Sequence, residues 1–210
     1  MLEVQTAPAV PRLYFWALQV GFSDLGRDLG AAHTGLQWHP AAPAGAVNWG
    51  GYGPGGELLE GSTTGLPEAD GPNTRHYAWA PARPYRLRVF SPAPGTWRSE
   101  VTDLVTGLPS TVRDLYVAAT GLVGPVVWSE VFADCDDPPV RARWSGAVVV
   151  TQDGTEHPVL AARPTYQERA QGGCDNTQSF VEGDGFVQAS GLQAQRPPVP
   201  PSLVLDLRAR

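Results

Sequence analysis

The sequence predicts an all-β protein, an antiparallel β-sandwich of jelly-roll or concanavalin-like topology. Three observations support this: roughly a dozen short segments rich in β-branched and aromatic residues, turn signals between them, and no long helical pattern. The 210 residues include 24 Gly and 21 Pro, yet 42% of the chain is hydrophobic. The Gly and Pro residues therefore indicate turns in a folded chain rather than disorder.

The length of the chain suits one large β domain, and we predict a single domain over residues 12–210. Residues 1–11 carry Pro and Ala and form a lead-in that we expect to be poorly ordered. The run Arg-Pro-Pro-Val-Pro-Pro at 196–201 indicates a stiff, extended connector. It leads to a predicted terminal edge strand at 203–207.

The first strong strand signal covers residues 12–22, where apolar residues on both faces indicate a central strand. Residues 33–39 form a second predicted strand, which places His33 and Gln37 on the same face. A long loop rich in Gly and Pro is predicted at 53–73. The other strands predicted in this half of the chain are 47–52, 75–79, 85–90 and 97–105.

Residues 111–119 fit two structures, a helix capped by Ser110 and the second strand of a hairpin. Their β-branched content and the preceding turn favour the strand. The remaining predicted strands are 126–133, 140–151, 157–162 and 179–189, the last interrupted by Gly-Asp-Gly.

Glu130 is the one ionisable residue within the apolar run Val126–Phe132, which we expect to be a strand buried on both faces. A carboxylate in that setting needs a cationic partner or an opening to water. Arg86, Arg88 and Arg143 are the candidate partners in a purely structural pair. Because burial also raises a carboxyl pKa, Glu130 is the candidate catalytic acid or base as well, although the structural pair is favoured.

Aromatic residues near polar, Gly-rich loops indicate a face that stacks against sugar rings. The candidate ligand-binding residues are Trp38, Trp49, Tyr52, Trp79, Arg86 and Arg88. The alternative for any Trp is that it fills the sandwich core, and we favour this for Trp16, Trp128 and Trp144.

Two further groups of residues lie where the predicted strand around Glu130 ends. Asp134, Asp136 and Asp137 supply carboxylates that could hold Ca²⁺, although a solvated turn is the alternative. Cys135 and Cys174 could form one disulfide or remain two thiols. Their position at element ends leads us to predict the disulfide.

Several short motifs occur in a familiar order along the chain. They are an aromatic first strand ending in Gly-Phe, a Gly-Leu-Gln strand, Trp-Gly-Gly, the loop 60–65, Trp79 with Pro-Tyr-Arg-Leu-Arg, a Thr-Gly turn, Trp-Ser-Glu-Val-Phe and the hairpin 183–187. Together they resemble an uncharacterised family of bacterial, often secreted, lectin/glucanase-like β-sandwich proteins. The resemblance spans most of residues 12–190 and implies the fold, without an activity.

Charge and hydropathy bound the partners and the location. The net charge is −6, and all 15 basic residues are Arg with no basic stripe, which argues against nucleic acid. No apolar run reaches the roughly 18 residues that a membrane helix needs. The N-terminus lacks a signal-peptide pattern, so we expect either a cytoplasmic protein or a secreted one whose leader was removed.

We therefore predict a module that binds a glycan or another small polar ligand. One alternative is an enzyme, a glycosidase, lyase or cyclase-like catalyst, that uses Glu130 as its acid or base. The other is a purely structural surface domain. Hydrolase-elbow, phosphate-loop and dinucleotide motifs are absent from the sequence. No cofactor is predicted apart from possible Ca²⁺, and the oligomeric state is left open.

Overall fold

The computed structural model describes residues 1–208, and in these residues nearly all regular structure is antiparallel β. The strands in chain order are β1 (Leu2–Val4), β2 (Tyr14–Asp24), β3 (Arg27–His39), β4 (Ala42–Tyr52), β5 (Thr74–His76), β6 (Pro84–Ala93), β7 (Thr96–Asp103), β8 (Leu108–Tyr116), β9 (Gly121–Val131), β10 (Val140–Ser145), β11 (Val148–Val150), β12 (Glu156–Pro158), β13 (Ala161–Ala162), β14 (Gln178–Glu182), β15 (Gly185–Ser190) and β16 (Leu205–Asp206). A short 3₁₀ helix covers Arg169–Gln171. Within residues 1–208, no helix is long and apolar enough to cross a membrane.

The chain divides into two compact units. The larger unit is Pro11–Phe132, and the smaller one joins Met1–Val10 to the described residues from Ala133 onwards. The assignment of residues 12–210 to a single domain stays a prediction.

The larger unit is a sandwich of two antiparallel layers. One layer is a five-stranded sheet in the order β5-β4-β3-β2-β9. In the other layer β6, β7 and β8 pair in that order. The strand β2 lies between β3 and β9, as expected for a central strand, and β8 takes the strand conformation that the sequence favoured over a helix.

Large aromatic side chains fill the space between these two layers. Trp16, Phe22 and Trp49 of the five-stranded sheet are 0–1% exposed, and Phe22 packs against Trp97 of β7 with ring centroids 5.6 Å apart. Polar groups in this core pair across the layers. The Trp49 indole N–H donates to the Trp97 carbonyl at 3.0 Å. These contacts confirm the predicted all-β sandwich.

The smaller unit has its own antiparallel sheet, in which β14, β15, β10 and β1 pair in that order. Its two short ribbons are β11 with β12 and β13 with β16. A disulfide joins Cys135 to Cys174, with Cα atoms 5.6 Å apart. The expectation of a poorly ordered N-terminal lead-in is wrong, because Leu2 and Val4 are buried and pair with β10.

Candidate functional site

The site lies on the outer face of the five-stranded sheet, the face directed away from β6, β7 and β8. Side chains alternate along a strand, and on β2 the residues Trp16 and Phe22 point into the core. Phe15, Ala17 and Gln19 therefore point outward.

The pairing register adds neighbours to these three residues on the same face. Phe15 lies between Gln37 of β3 and Glu130 of β9. Ala17 lies between Gly35 and Trp128, and Gln19 lies between His33 and Val126. On the next strand Asn48 is opposite Gly35. The outer face thus gathers residues from four strands, β9, β2, β3 and β4.

An aromatic cluster of Phe15, His33 and Trp128 covers part of this face. The three rings meet edge to face, with centroids 5.1 Å apart for Phe15 and Trp128, 5.6 Å for Phe15 and His33, and 5.5 Å for His33 and Trp128. Burial among the rings lowers the pKa of His33 below its ordinary value. The imidazole is therefore neutral at neutral pH.

Gly35 allows the strands at the centre of the site to approach closely. A Cβ atom at this position would lie 1.9 Å from the Trp16 carbonyl oxygen and 2.7 Å from the Ala17 Cα. These are backbone atoms that cannot move aside without breaking the pairing of β2 with β3. Only glycine fits here, which keeps the centre of the face free of a side chain between Ala17 and Asn48.

Two carboxamides next to Gly35 are buried with incomplete hydrogen bonding. Gln37 is 5% exposed and Asn48 is 6% exposed. Within the described part of the chain, no donor lies within hydrogen-bond distance of Gln37 Oε1 or Asn48 Oδ1. A buried polar atom in this state costs about 1–3 kcal/mol. These two atoms are the strongest local sign of a missing partner on the outer face.

Glu130 lies at the rim of the face, and the prediction that its strand is buried on both sides is wrong. The strand β9 is the edge of the sheet, and Val126 and Phe132 are 49% and 57% exposed. Desolvation raises the pKa of Glu130 although the residue is exposed. Water therefore reaches the carboxyl group, while the neighbouring protein atoms still favour its neutral form.

The cationic partners expected for Glu130 are elsewhere. Arg86 and Arg88 lie exposed on β6 in the other layer, where Arg88 covers the ring of Phe90 at 4.3 Å. Arg143 pairs with Asp184 in the smaller unit. Across residues 1–208, no cation lies within ion-pair distance of Glu130.

The structure does not bring the predicted aromatic ligand-binding residues together. Trp49 and Trp79 are 0% and 7% exposed and belong to the core, where the Trp79 indole N–H donates to the Gln37 carbonyl. Trp38 packs against Trp79 with centroids 6.0 Å apart. Tyr52 alone lies exposed on the outer face, at the end of β4. The binding role was predicted from the polar loops next to these residues in the sequence. Those loops do not report whether a strand residue points into the core or outward, because the two directions alternate within each strand.

The acidic residues after β9 form a turn. The backbone N–H of Asp134 donates to the Asp137 carboxylate at 2.8 Å. No group of three or more His, Cys, Asp or Glu side chains suited to a metal occurs in residues 1–208. The Ca²⁺ site at Asp134, Asp136 and Asp137 stays a prediction.

Phe15, Gln37 and Asn48 were missed as site residues. The alternation in 33–39 had already placed Gln37 beside His33 on one face, and that signal pointed to this face. Asn48 carried no such signal, because its position beside Gln37 depends on how β3 pairs with β4.

Comparison with known proteins gives structural neighbours alone. No protein family and no curated protein matches the sequence. Aspergilloglutamic peptidase from Aspergillus niger superposes with a TM-score of 0.46 at 14% identity, covering 84% of this chain and 99% of that one. Scytalido-glutamic peptidase with a peptide-based transition-state analogue superposes with a TM-score of 0.39 at 7% identity. SCP-B, an eqolisin-family peptidase in complex with the tripeptide Ala-Ile-His, superposes with a TM-score of 0.38 at 11% identity. Both matches cover 90% of this chain and 87% of the other chain.

These neighbours are β-sandwich glutamic peptidases, and they do not support the lectin-like resemblance or carbohydrate binding. With identities of 14% or less and TM-scores below 0.5, the likeness assigns no activity, substrate or site residue to this chain.

Proposed function

We propose that the outer face of the five-stranded sheet binds an extended peptide segment. The observation that carries the proposal is the pair of buried carboxamide oxygens, Gln37 Oε1 and Asn48 Oδ1, that lack a donor. A ligand with N–H groups would supply the missing hydrogen bonds and remove the cost of leaving them unmade.

The spacing of the two carboxamides suits a peptide backbone. Gln37 is opposite Ala46, two residues from Asn48, so the two are diagonal neighbours on one face. Diagonal neighbours are separated by roughly 7–8 Å. The N–H groups on one side of an extended chain repeat every ~6.6–6.8 Å. The separation of the two carboxamides therefore matches that of successive N–H groups on one side of an extended peptide.

The aromatic cluster adds an apolar surface beside these polar contacts. Phe15 separates Gln37 from Glu130, and its ring and that of Trp128 offer flat faces and edges for a peptide side chain. The carboxamides would bind the peptide backbone, and the aromatic rings would contact its side chains. This matches the usual composition of ligand sites, a largely apolar lining with a few placed polar groups.

The test is calorimetric titration with the capped peptide acetyl-Ala-Leu-Ala-Leu-amide and a copy methylated on its backbone nitrogens. The native chain should bind the first and not the second. Gln37→Leu and Asn48→Leu should each weaken binding about tenfold, the value of one hydrogen bond between desolvated groups. Gln195→Leu, a matched change at an exposed carboxamide in the smaller unit, should have no effect.

Equal binding of the methylated copy, or native affinity in both leucine variants, would rule out backbone recognition. If the native chain binds laminaritetraose but no peptide, and Asn48→Leu abolishes that binding, the site is a glycan site.

Hydrolysis of the bound peptide is the second candidate function, and the specific observation is Glu130. Its carboxyl group has a raised pKa, is open to water and has no cationic partner in residues 1–208. Such a carboxylate can take a proton from water as the oxygen adds to the peptide carbonyl carbon. It can then give that proton to the nitrogen as the C–N bond breaks.

Glu130→Gln separates the two functions. If Glu130 is the acid or base, peptide fragments detected by mass spectrometry with the native chain should disappear in the variant while peptide affinity is retained. The exposed Glu57→Gln is the control and should cleave normally. Cleavage that persists in Glu130→Gln excludes Glu130, and no cleavage by the native chain at any pH leaves a binding function alone.

A further inference from the structure

A second concave site lies in the larger unit, under the loop that follows β4. It is a cleft of about 370 Å³, within the range of small-molecule sites. Its lining is mostly apolar and includes Leu58, Glu60, Gly61, Pro72, Arg113 and Tyr116. None of these residues belongs to the outer-face site.

Arg113 is the unusual member of this lining, because its guanidinium is buried. The residue is 3% exposed. Its Nη1 donates to the Pro72 carbonyl at 2.6 Å and to the Asn73 side-chain oxygen at 2.8 Å. Its Nε is buried and has no acceptor in the described part of the chain. Both acceptors that it does have are uncharged, and a buried cation without an anionic partner is costly.

A second buried cation lies close to Arg113. Arg75 is 1% exposed and pairs with Glu68 at 3.5 Å. Burial and then the positive charge of Arg75 lower the pKa of Arg113, while Glu68 acts in the opposite direction. Glu68, which is itself half exposed, pairs with Arg75 and acts on Arg113 only through its charge. Among Arg75, Arg113 and Glu68 there is one positive charge in excess. The remaining carboxylate of the cleft, Glu60, is exposed and solvated, so it compensates this charge weakly.

We propose that this cleft binds a small monocarboxylate with an apolar body, whose carboxylate pairs with Arg113. The proposal is independent of peptide binding at the outer face. One negative charge restores the balance between Arg75, Arg113 and Glu68, and the apolar lining accepts the rest of the molecule.

Glu60 argues for a monoanion over a phosphate. It lines the same cleft, is exposed, and forms no ion pair among residues 1–208. A carboxylate at the entrance repels a dianion more strongly than a monoanion. A guanidinium also donates to a carboxylate with good geometry, through paired N–H groups.

The probe is hexanoate, titrated into the ¹⁵N-labelled chain, with hexanamide and inorganic phosphate as comparison ligands. Hexanoate should shift the amide signals of Leu58, Gly61 and Tyr116. It should bind roughly tenfold or more tightly than hexanamide, because one charge-assisted hydrogen bond is lost in the amide. Hexanamide of equal affinity would overturn the proposal, and so would phosphate that binds this cleft more tightly than hexanoate does.

Two variants test the charges. Arg113→Gln should abolish hexanoate binding. Because this change could also unfold the unit, Glu60→Gln provides a second test at an exposed position, and it should tighten hexanoate binding about two- to threefold by removing one repulsion. Unchanged hexanoate affinity in Glu60→Gln, or hexanoate binding that survives in a folded Arg113→Gln chain, would contradict the assignment.

Discussion

The two faces of the five-stranded sheet treat polar groups differently. On the inner face the Thr34 and Ser99 hydroxyl groups share a hydrogen bond of 2.6 Å, and the Trp49 indole N–H reaches a carbonyl. On the outer face the side-chain oxygens of Gln37 and Asn48 are just as deeply buried and have no donor in residues 1–208. The strands are the same, so the backbone cannot explain the difference.

The contrast fits a stabilising inner face and, under the proposed peptide binding, a recognising outer face. Groups that pair inside the protein contribute to folding, whereas a buried group that stays unpaired lowers stability and persists where a function requires it. Substitutions at equivalent depth on the two faces should therefore have opposite effects on stability. Three experiments test that expectation, and a fourth tests how the partly buried His33 of the outer face responds to pH.

The largest effect is expected from Trp49→Ala on the inner face. The change empties a fully buried site and should lower the free energy of unfolding by about 3–5 kcal/mol. Urea denaturation measures the loss, and the exposed Tyr52→Ala on the same strand is the control, with little change expected. A loss below 1 kcal/mol for Trp49→Ala would mean that the two layers are not packed as described.

Thr34→Val should have an intermediate effect on the same face. It keeps the shape of the side chain but leaves the Ser99 hydroxyl buried without its partner, at a cost of about 1–3 kcal/mol. The double variant Thr34→Val with Ser99→Ala removes both hydroxyl groups and should recover part of that loss. If the double variant is as unstable as the sum of the single changes, the hydrogen bond is not the source.

Asn48→Leu should have a neutral or stabilising effect of up to ~1 kcal/mol. It replaces a buried carboxamide that has an unmet acceptor with an apolar group of similar size. Thermal and urea unfolding of the ligand-free chain provide the measurement. A loss of more than 1 kcal/mol would show that Asn48 serves folding, and the contrast between the two faces would disappear.

The last effect is a pH dependence from His33, which should be small near neutral pH. The pKa of His33 in the folded chain lies below the ordinary 6.5. As the pH falls, the imidazole is therefore protonated in the unfolded chain before it is protonated in the folded chain. Stability from the neutral imidazole is therefore complete above pH 6.5 and falls as the pH drops below it, by at most about 1.4 kcal/mol per pH unit. His33→Gln should flatten this slope in unfolding curves at several pH values, and an unchanged slope would show that His33 does not contribute.

The sequence predicted the strands of the larger unit well, because hydrophobic alternation over 12–22 and 33–39 reports a local property. For β9 the sequence predicted the strand but not its position in the sheet. An apolar run such as Val126–Phe132 has the same pattern in a central strand and in an edge strand. Edge position depends on which distant strand pairs with it. The single interaction between distant residues that the sequence did predict, Cys135 with Cys174, came from the position of both cysteines at the ends of predicted elements.

The site was harder to predict than the fold for the same reason. Gln37 and Asn48 are 11 positions apart, and they become neighbours through the register of β3 and β4. The placement of Trp49 inside the core follows from the same register. We predicted a binding role for this tryptophan from its residue type, but its side chain is buried in the core.

The disulfide has a consequence for how the smaller unit withstands proteolysis. The bond encloses the chain between Cys135 and Cys174, and this stretch includes the exposed residues 151–157. Exposed loops are the preferred sites of proteolytic cleavage. A single cut there would leave both fragments covalently linked, so that the nicked chain would migrate as one species on a gel until a thiol separates it into two.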